Sequence, residues 1–382
     1  MLTALLFANL NASAAKYDFE VDGIYYNILS AKDRTVEVTN EFGGQSNTVY
    51  TYNSNNVLTV PAKVVYEYTS YSVVAIGSYA FHNGFLTAVI LPSSVTTIKD
   101  HAFTYITLPS IELPIGVTSI GDYAFENSYE LNTVGISNSV TSIGERAFYG
   151  CDALTDIYVP ESVTYIGPLA FVNCDVLTAI NVDESNQEYV SKDGVLYTKN
   201  MRKLLCYPKG KLSNNYDVPN GVVSIEKSAF VGCKLTSVDI PGSVKTIELR
   251  AWAECDNLDE VYCRAATPPS ASYDAFGESV LKGTLYVPTW SKAAYEAVDP
   301  WRNFWNIEEM NFGGIEDAVV ENGVSVSTNG CAIVVNGEPK GRIEVYSING
   351  QCVYSGTGTT IGNLAKGVYI VKVANQTFKV VI

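Results

Sequence analysis

Residues 154–171 read LTDIYVPESVTYIGPLAF, and versions of this phrase recur along most of the chain. Its second half, V-T-x-I-G-x-x-A-F, ends on an aromatic residue each time. Successive aromatic positions lie 22, 22, 23, 23, 59, 22 and 24 residues apart, and 59 equals one repeat of 23 plus an insertion of 36. These positions are Phe81, Phe103, Phe125, Phe148, Phe171, Phe230, Trp252 and Phe276. A unit this short cannot bury its own apolar side chains, so the repeats must stack on one another.

The first half of the phrase, L-x-x-V/I-x-I/V/L, alternates apolar and polar positions. It begins at Leu86, Leu108, Leu131, Leu154, Leu177, Leu235 and Leu258. Alternation with period two predicts a strand with one buried face, and stacking brings these strands side by side as a parallel sheet. Spacing and consensus lie in the range of leucine-rich repeats. We therefore predict an α/β to mostly β fold: a right-handed leucine-rich-repeat solenoid with parallel strands.

The composition narrows the function classes. The chain has 382 residues and a net charge of −15, which disfavours a nucleic-acid partner. With 17% charged and 47% hydrophobic residues, it has the composition of an ordered protein. We find no H-E-x-x-H, G-x-S-x-G, P-loop or paired C-x-x-C motif. The cluster Asp183, Glu184 and Glu188 could hold Ca²⁺, but it matches no defined loop, and a solvated turn explains it better. We predict no enzyme, no cofactor and no metal.

The N-terminus and the cysteines bear on the compartment. Residues 1–14, MLTALLFANLNASA, have an apolar run and the small-x-small site Ala12-Ser13-Ala14, so we expect a signal peptide, possibly truncated; the alternative is a buried N-terminal segment. No other apolar stretch approaches the ~20 residues of a spanning helix, so we expect no transmembrane segment. Four cysteines share one position, three residues after the aromatic: Cys151, Cys174, Cys233 and Cys255. We expect inert buried thiols there, although neighbouring coils could permit an occasional bridge, and a Cys331–Cys352 bridge is also open.

The repeat phrase resembles the BspA-like leucine-rich repeat family of bacterial surface proteins. The insertion, with Ser191-Lys-Asp-Gly-Val-Leu-Tyr197, resembles that family's long repeat, which contains a hairpin. Residues 284–307 resemble its closing repeat, and Tyr17–Tyr26 resembles its opening segment. The resemblance implies an N-terminal β cap at 15–59, repeats at 60–312 with a hairpin insertion near 183–218, and a closing repeat at 256–312.

A second resemblance covers residues 313–382. The phrases Ile343-Glu-Val-Tyr346, Ile361-Gly-Asn-Leu364 and Lys366-Gly-Val-Tyr-Ile-Val-Lys-Val373 are similar to the C-terminal sorting domain of type IX secretion cargo. Short alternating strands and Gly-rich turns independently favour a small β-sandwich. The resemblance implies contact with the type IX secretion machinery and an extracellular or cell-surface location in a Gram-negative bacterium.

The strand phrase also predicts a binding surface. Residues between the buried positions point outward, and stacking aligns them in two neighbouring lanes. Tyrosine gives broad contact area at low entropic cost, and carboxylates steer basic partners. The alternative is a solvated sheet face with cross-strand tyrosine packing. The predicted ligand-binding residues are Glu112, Asp156, Tyr158, Asp239, Glu260 and Tyr262.

Three functions remain open. The first is a secreted or surface-displayed, non-catalytic binding or adhesion protein that holds an extracellular protein or glycan on its strand face. The second is a carbohydrate-active enzyme on a solenoid, because the carboxylate count alone permits a glycosidase-like pair. The third is a structural surface scaffold that contacts copies of itself.

Overall fold

A computed structural model describes residues 17–41, 56–312 and most of 325–382. The predicted signal peptide at 1–14 and Cys331 lie outside the described residues. An antiparallel hairpin opens the described chain, and its second strand pairs with a third. The first strands are β1 Phe19–Val21, β2 Ile24–Ser30, β3 Thr35–Thr39, β4 Val57–Thr59, β5 Lys63–Tyr66 and β6 Thr69–Ile76. Because β3 pairs in parallel with β6 and β4 with β7, the opening segment joins both strand columns of the solenoid.

Each coil of the solenoid contributes two short strands. In chain order they are β7 Ala88–Ile90, β8 Thr97–Ile98, β9 Ser110–Glu112, β10 Ser119–Ile120, β11 Thr133–Gly135, β12 Ser142–Ile143, β13 Asp156–Val159, β14 Tyr165–Ile166 and β15 Ala179–Val182. The odd-numbered strands are the predicted L-x-x-V/I-x-I/V/L strands. The even-numbered ones lie in V-T-x-I, where we predicted no strand, and they continue the sheet of β3 and β6 without a break.

The predicted strands form several short ladders instead of one continuous sheet. Separate pairs join β4 to β7, β9 to β11 and β13 to β15. A five-stranded parallel ladder, β19-β21-β23-β25-β26, follows the insertion. The prediction of a single parallel sheet is therefore wrong in its continuity, although the parallel solenoid itself is confirmed.

The insertion begins with an antiparallel hairpin, and a third strand pairs with it. This third strand also pairs in parallel with the next coil and so rejoins the solenoid. From there to the closing coil the elements are β16 Tyr189–Lys192, β17 Val195–Thr198, β18 Lys203–Cys206, β19 Asn215–Asp217, β20 Ser224–Ile225, β21 Ser237–Ile240, β22 Thr246–Ile247, β23 Glu260–Cys263, β24 Ser270–Ala271, α1 Glu278–Leu281, β25 Thr284–Pro288, α2 Lys292–Glu296, a 3₁₀ turn Trp301–Asn303 and β26 Asn306–Met310. None of the helices in the described residues is long and apolar enough to cross a membrane.

The C-terminal segment folds into two antiparallel sheets. Their strands are β27 Ser325–Asn329, β28 Ala332–Asn336, β29 Ile343–Ser347, β30 Cys352–Gly356, β31 Thr360–Ile361, β32 Val368–Val373 and β33 Gln376–Val381. The sheets β27-β28-β31 and β30-β29-β32-β33 share one apolar core that includes Ile333, Val345 and Val371. The predicted small β-sandwich is confirmed.

A ladder of aromatic rings fills the solenoid core. Rings from Phe81 to Phe171 stack at centroid distances between 5.0 and 5.8 Å. After the insertion the ladder restarts at Tyr207 and continues through Phe230, Trp252 and Phe276. Because each repeat supplies one ring to a shared column, the coils on each side of the insertion share a core although each unit is short.

A column of small polar side chains accompanies the ladder. Each is buried and donates to the carbonyl oxygen of the ladder residue one coil earlier. The pairs are Ser128 with Phe103 at 2.9 Å, Cys151 with Phe125 at 3.2 Å, Cys174 with Phe148 at 3.2 Å and Cys255 with Phe230 at 2.9 Å. Burial raises the pKa of the Cys174 thiol to about 12. The prediction that these cysteines are buried is confirmed, and their thiols also act as hydrogen-bond donors.

Candidate functional site

The register of the five-stranded ladder aligns its outward-facing side chains in two lanes. One lane is Asp217, Asp239, Tyr262, Tyr286 and Glu308, and the other is Asn215, Ser237, Glu260, Thr284 and Asn306. We call these ten residues the C-terminal strand face. The alternate residues Val238, Val261 and Leu285 are buried in the core. On these strands, each outward position therefore lies beside a packed residue.

Two stacked tyrosines occupy the centre of the C-terminal strand face. The rings of Tyr262 and Tyr286 lie 4.7 Å apart and within 11° of parallel. The Tyr262 hydroxyl donates to Glu260 Oε2 at 2.9 Å. Burial is the larger cause and this bond to a carboxylate the second cause that raise the pKa of Tyr262 to about 12. The phenol therefore stays protonated at neutral pH. The pair thus forms a fixed aromatic platform with a polar edge.

An arginine is held beside this platform. Arg264 Nε lies 2.7 Å from Asp239 Oδ1, and Arg264 Nη2 also donates to the same carboxylate. The guanidinium carbon sits 5.1 Å from the ring centroid of Phe312. Bidentate pairing and ring stacking together fix the planar guanidinium group. Arg264 pairs with Asp239, and the face carries further carboxylates at Asp217, Glu260 and Glu308.

An open cavity of about 390 Å³ lies over this part of the face. Its walls come from both the ladder and the segment that follows β26. They are Asn215, Asp217, Ser237, Asp239, Tyr262, Arg264, Met310, Asn311 and Phe312. Carboxylate, amide, hydroxyl, guanidinium and aromatic groups therefore converge on one concave surface, and its Tyr, Phe, Met and Arg side chains are of the types enriched at protein interfaces.

The structure brings only some of the predicted site residues together. Asp239, Glu260 and Tyr262 lie on adjacent strands of the C-terminal strand face. Asp156 and Tyr158 lie on β13, which belongs to a separate pair with β15. Glu112 lies on β9, opposite Gly135 of β11. The six residues are therefore divided among three ladders.

The hairpin insertion separates the β13–β15 pair from the five-stranded ladder, because its strands β16 to β18 lie between β15 and β19 in the chain. Its turn lies beside β15, where Ile180 donates its backbone N–H to the Gly194 carbonyl at 2.9 Å. Near the same point the Tyr158 hydroxyl donates to Asp183, so the predicted acidic cluster partly serves to hold Tyr158. Within the part of the chain that the structure describes, no three His, Cys, Asp or Glu side chains are grouped as metal ligands.

Sequence reasoning missed several residues of the site, among them Tyr286, Arg264 and Phe312. Tyr286 could have been found, because Thr284-Leu-Tyr-Val287 repeats the pattern of Glu260-Val-Tyr-Cys263. Arg264 follows its strand at the position where other repeats have proline, as at Pro160, and this difference is a weak signal. Phe312 lies beyond the repeats, and its position against Arg264 depends on the closing coil.

Fold and surface together define a leucine-rich-repeat scaffold with an exposed strand face. The chain belongs to the BspA type leucine-rich repeat region family, whose profile matches six copies over residues 74–193 and 207–289. A comparison with curated proteins found no match.

Several solved structures are similar to this chain. The pneumococcal vaccine antigen PcpA superposes with a TM-score of 0.53 at 18% identity, covering 78% of this chain and 98% of its own. A leucine-rich cell surface protein from Faecalibacterium prausnitzii has a TM-score of 0.48 at 26% identity, covering 77% and 94%. A leucine-rich repeat protein from Bacteroides ovatus has a TM-score of 0.42 at 19% identity, covering 78% and 89%. The PcpA similarity supports the solenoid fold.

Proposed function

We propose that this protein is a secreted or surface-displayed, non-catalytic binding protein. It holds an extracellular protein or glycan partner on the C-terminal strand face. The observation that carries this proposal is the stacked pair Tyr262 and Tyr286 beside an open cavity of about 390 Å³. Tyrosines with a polar edge are typical anchors of recognition surfaces, because they give much contact area and lose little side-chain entropy on binding.

The charge of the face supports a partner with basic groups. Asp217, Glu260 and Glu308 lie on the same face as the tyrosine pair, and the chain as a whole carries a net charge of −15. Such a surface attracts cationic partners over a distance of about 10 Å at moderate salt. Arg264, held by Asp239 and stacked on Phe312, gives the cavity a fixed wall beside Tyr262.

Export is the second part of the proposal. The apolar segment 1–14 would direct the chain out of the cytoplasm, and residues 313–382 would engage the type IX secretion machinery of a Gram-negative bacterium. The β-sandwich fold of the described part of 325–382 is compatible with such a sorting domain.

Removal of residues 313–382 is expected to retain the protein inside the cell, as measured by fractionation of a type IX-competent host.

A binding screen with matched variants tests the surface. The full chain is immobilised and exposed to matrix proteins, mucins and glycans at physiological salt. For a ligand that saturates, Tyr262→Ala and Tyr286→Ala are each expected to weaken binding by about 30-fold, the loss typical of an interface anchor. Tyr273→Ala, at an 80% exposed tyrosine outside the C-terminal strand face, is the control and should bind normally.

The separate ladder that carries Asp156 and Tyr158 is tested in the same screen. Tyr158→Ala is expected to have a smaller effect, because β13 and the C-terminal strand face belong to different ladders. If Tyr262→Ala and Tyr286→Ala both leave affinity unchanged while Tyr158→Ala abolishes it, the site lies on β13 and the assignment to the C-terminal strand face is wrong.

A further inference from the structure

Two cysteines in the buried polar column contact each other. Cys151, Cys174 and Cys255 direct their thiols to a ladder carbonyl of the preceding coil. Cys233 instead directs its thiol to Cys255, with the two sulfur atoms 3.2 Å apart. Both residues are buried, at 3% and 0% exposure. The preceding coil is the insertion coil, where the regular repeat is interrupted, and this interruption coincides with the change of partner.

The backbone around this pair is in register for a bond between coils. Phe230 donates its N–H to the Ala251 carbonyl at 2.8 Å, and Gly232 donates to the Ala253 carbonyl at 2.9 Å. Neighbouring parallel segments lie about 4.8 Å apart, within the Cα separation of roughly 4.4–6.8 Å that a disulfide needs. A disulfide has a sulfur–sulfur distance of about 2.05 Å, so side-chain rotation must close only about 1 Å.

We infer that Cys233 and Cys255 form an intramolecular disulfide in the exported protein. The inference rests on the export proposed above, because an oxidising compartment is where such bonds persist. In the reaction the two thiols lose two protons and two electrons as the Sγ–Sγ bond forms. An external disulfide, on a small molecule or an oxidoreductase, accepts them and is cleaved to two thiols.

The bond forms as the coils close during folding. Both thiols are buried once the solenoid has packed, so an external disulfide reaches them most readily while the coils are still closing. The link closes a loop of 22 residues between adjacent coils. These coils lead directly into β21 and β23, the strands that carry Asp239 and Tyr262. The disulfide therefore holds together the two strands that carry Asp239 and Tyr262.

Alkylation of the full chain tests this inference without any ligand. The protein is refolded from denaturant in a buffer of oxidised and reduced glutathione, denatured again, alkylated and digested for mass spectrometry. The expected result is a peptide pair linked through Cys233 and Cys255, two hydrogen masses lighter than its separate halves, with both residues unavailable to the alkylating reagent. Refolding with excess reductant should make both available.

The same chain supplies the control. Cys151 and Cys174 share the column and the one-coil spacing, but their thiols donate to the carbonyls of Phe125 and Phe148. Both should therefore still react with the alkylating reagent after oxidative refolding. Cys233→Ser should abolish the linked peptide, and Ser128 shows that the column accepts serine. Full alkylation of Cys233 and Cys255 after oxidative refolding would overturn the inference. This experiment detects the bond itself and uses no ligand. Its result therefore does not depend on whether the proposed binding function is correct.

Discussion

A histidine sandwiched between two tyrosines illustrates how single residues meet across coils. The ring of His101 stacks on Tyr79 at 4.5 Å and on Tyr123 at 4.7 Å. Thr104 donates its hydroxyl to the Tyr123 carbonyl at 2.7 Å, so His101 Nδ1 must donate to the Thr104 oxygen, 3.3 Å away. The three stacked residues each lie two positions before a ladder phenylalanine, and each has a positive φ between 57° and 58°.

This environment predicts a loss of stability in mild acid. Burial lowers the pKa of His101, although Asp100 and Asp122 oppose the shift, and burial also lowers the pKa of His82. Since the unfolded chain binds these protons first, the histidines contribute stability that is present above about pH 6.5 and is lost as the pH falls through the lowered pKa. Urea midpoints measured between about pH 7.5 and 5.5 should therefore decrease.

The variant His101→Tyr separates this effect from the titration of other groups. Tyrosine already fills the same column at Tyr79 and Tyr123, so the stack is retained while one titrating group is removed. The decrease in urea midpoint should become smaller, whereas Tyr273→Phe, outside the stack, should leave it intact. An identical decrease in the His101→Tyr variant would contradict the assignment.

At the scale of elements, one buried amide attaches the insertion hairpin to the solenoid. Asn186 is fully buried, and its Nδ2 donates to the carbonyls of Pro160 and Val163, both at 2.9 Å. Its Oδ1 accepts the N–H groups of Glu188 at 2.9 Å and Tyr189 at 2.8 Å. All four hydrogen-bonding positions of the amide are therefore used, and they join the hairpin to the coil before it.

Removal of this amide should loosen the hairpin selectively. Asn186→Ala leaves buried backbone groups without partners, and we expect a loss of about 2 kcal/mol in the local stability of residues 183–198. Hydrogen exchange of the hairpin amides measures the loss. Gln187→Ala is the matched control, because this exposed side chain donates within its own turn, to the Ser185 carbonyl. Equal exchange rates in the two variants would show that Asn186 does not anchor the hairpin.

The elements differ in how far the sequence determined them. The L-x-x-V/I-x-I/V/L strands were predictable, because they alternate over enough residues to reveal a period of two. The V-T-x-I strands were missed because two-residue strands such as Ser142–Ile143 carry no measurable period. The hairpin was expected from family resemblance, but nothing in its residues indicated that its turn at Gly194 would lie beside β15 and interrupt the predicted lanes.

At the scale of the whole molecule, the insertion also divides the core. Phe171 belongs to the first apolar cluster, and Tyr207 begins the ladder of the second. Cys206 joins the two halves of the column, with its thiol 3.8 Å from the Phe171 carbonyl. The C-terminal strand face thus stands on a core of its own, which extends from the hairpin to the closing coil.

The location of the site was therefore only partly predictable. Asp239, Glu260 and Tyr262 follow from repeat alignment, because the same strand position faces outward in every coil. The cavity needs Arg264 and Phe312, which meet only after the closing coil has placed residues 310–312 over the ladder. A wall formed by a non-repetitive segment leaves no periodic signal. The assignment of the six predicted residues to ligand binding stays a prediction: Glu112, Asp156, Tyr158, Asp239, Glu260 and Tyr262.

The most direct test of the binding surface is hydroxyl-radical footprinting of the full chain, free and bound to the ligand returned by the screen. Tyr262, Tyr286, Met310 and Phe312 are expected to become protected together on binding. Tyr273 is the internal reference and should react equally in both states. Protection confined to Tyr158, or to the stacked residues Tyr79, His101 and Tyr123, with the first four unchanged, would contradict the claim that the C-terminal strand face holds the partner.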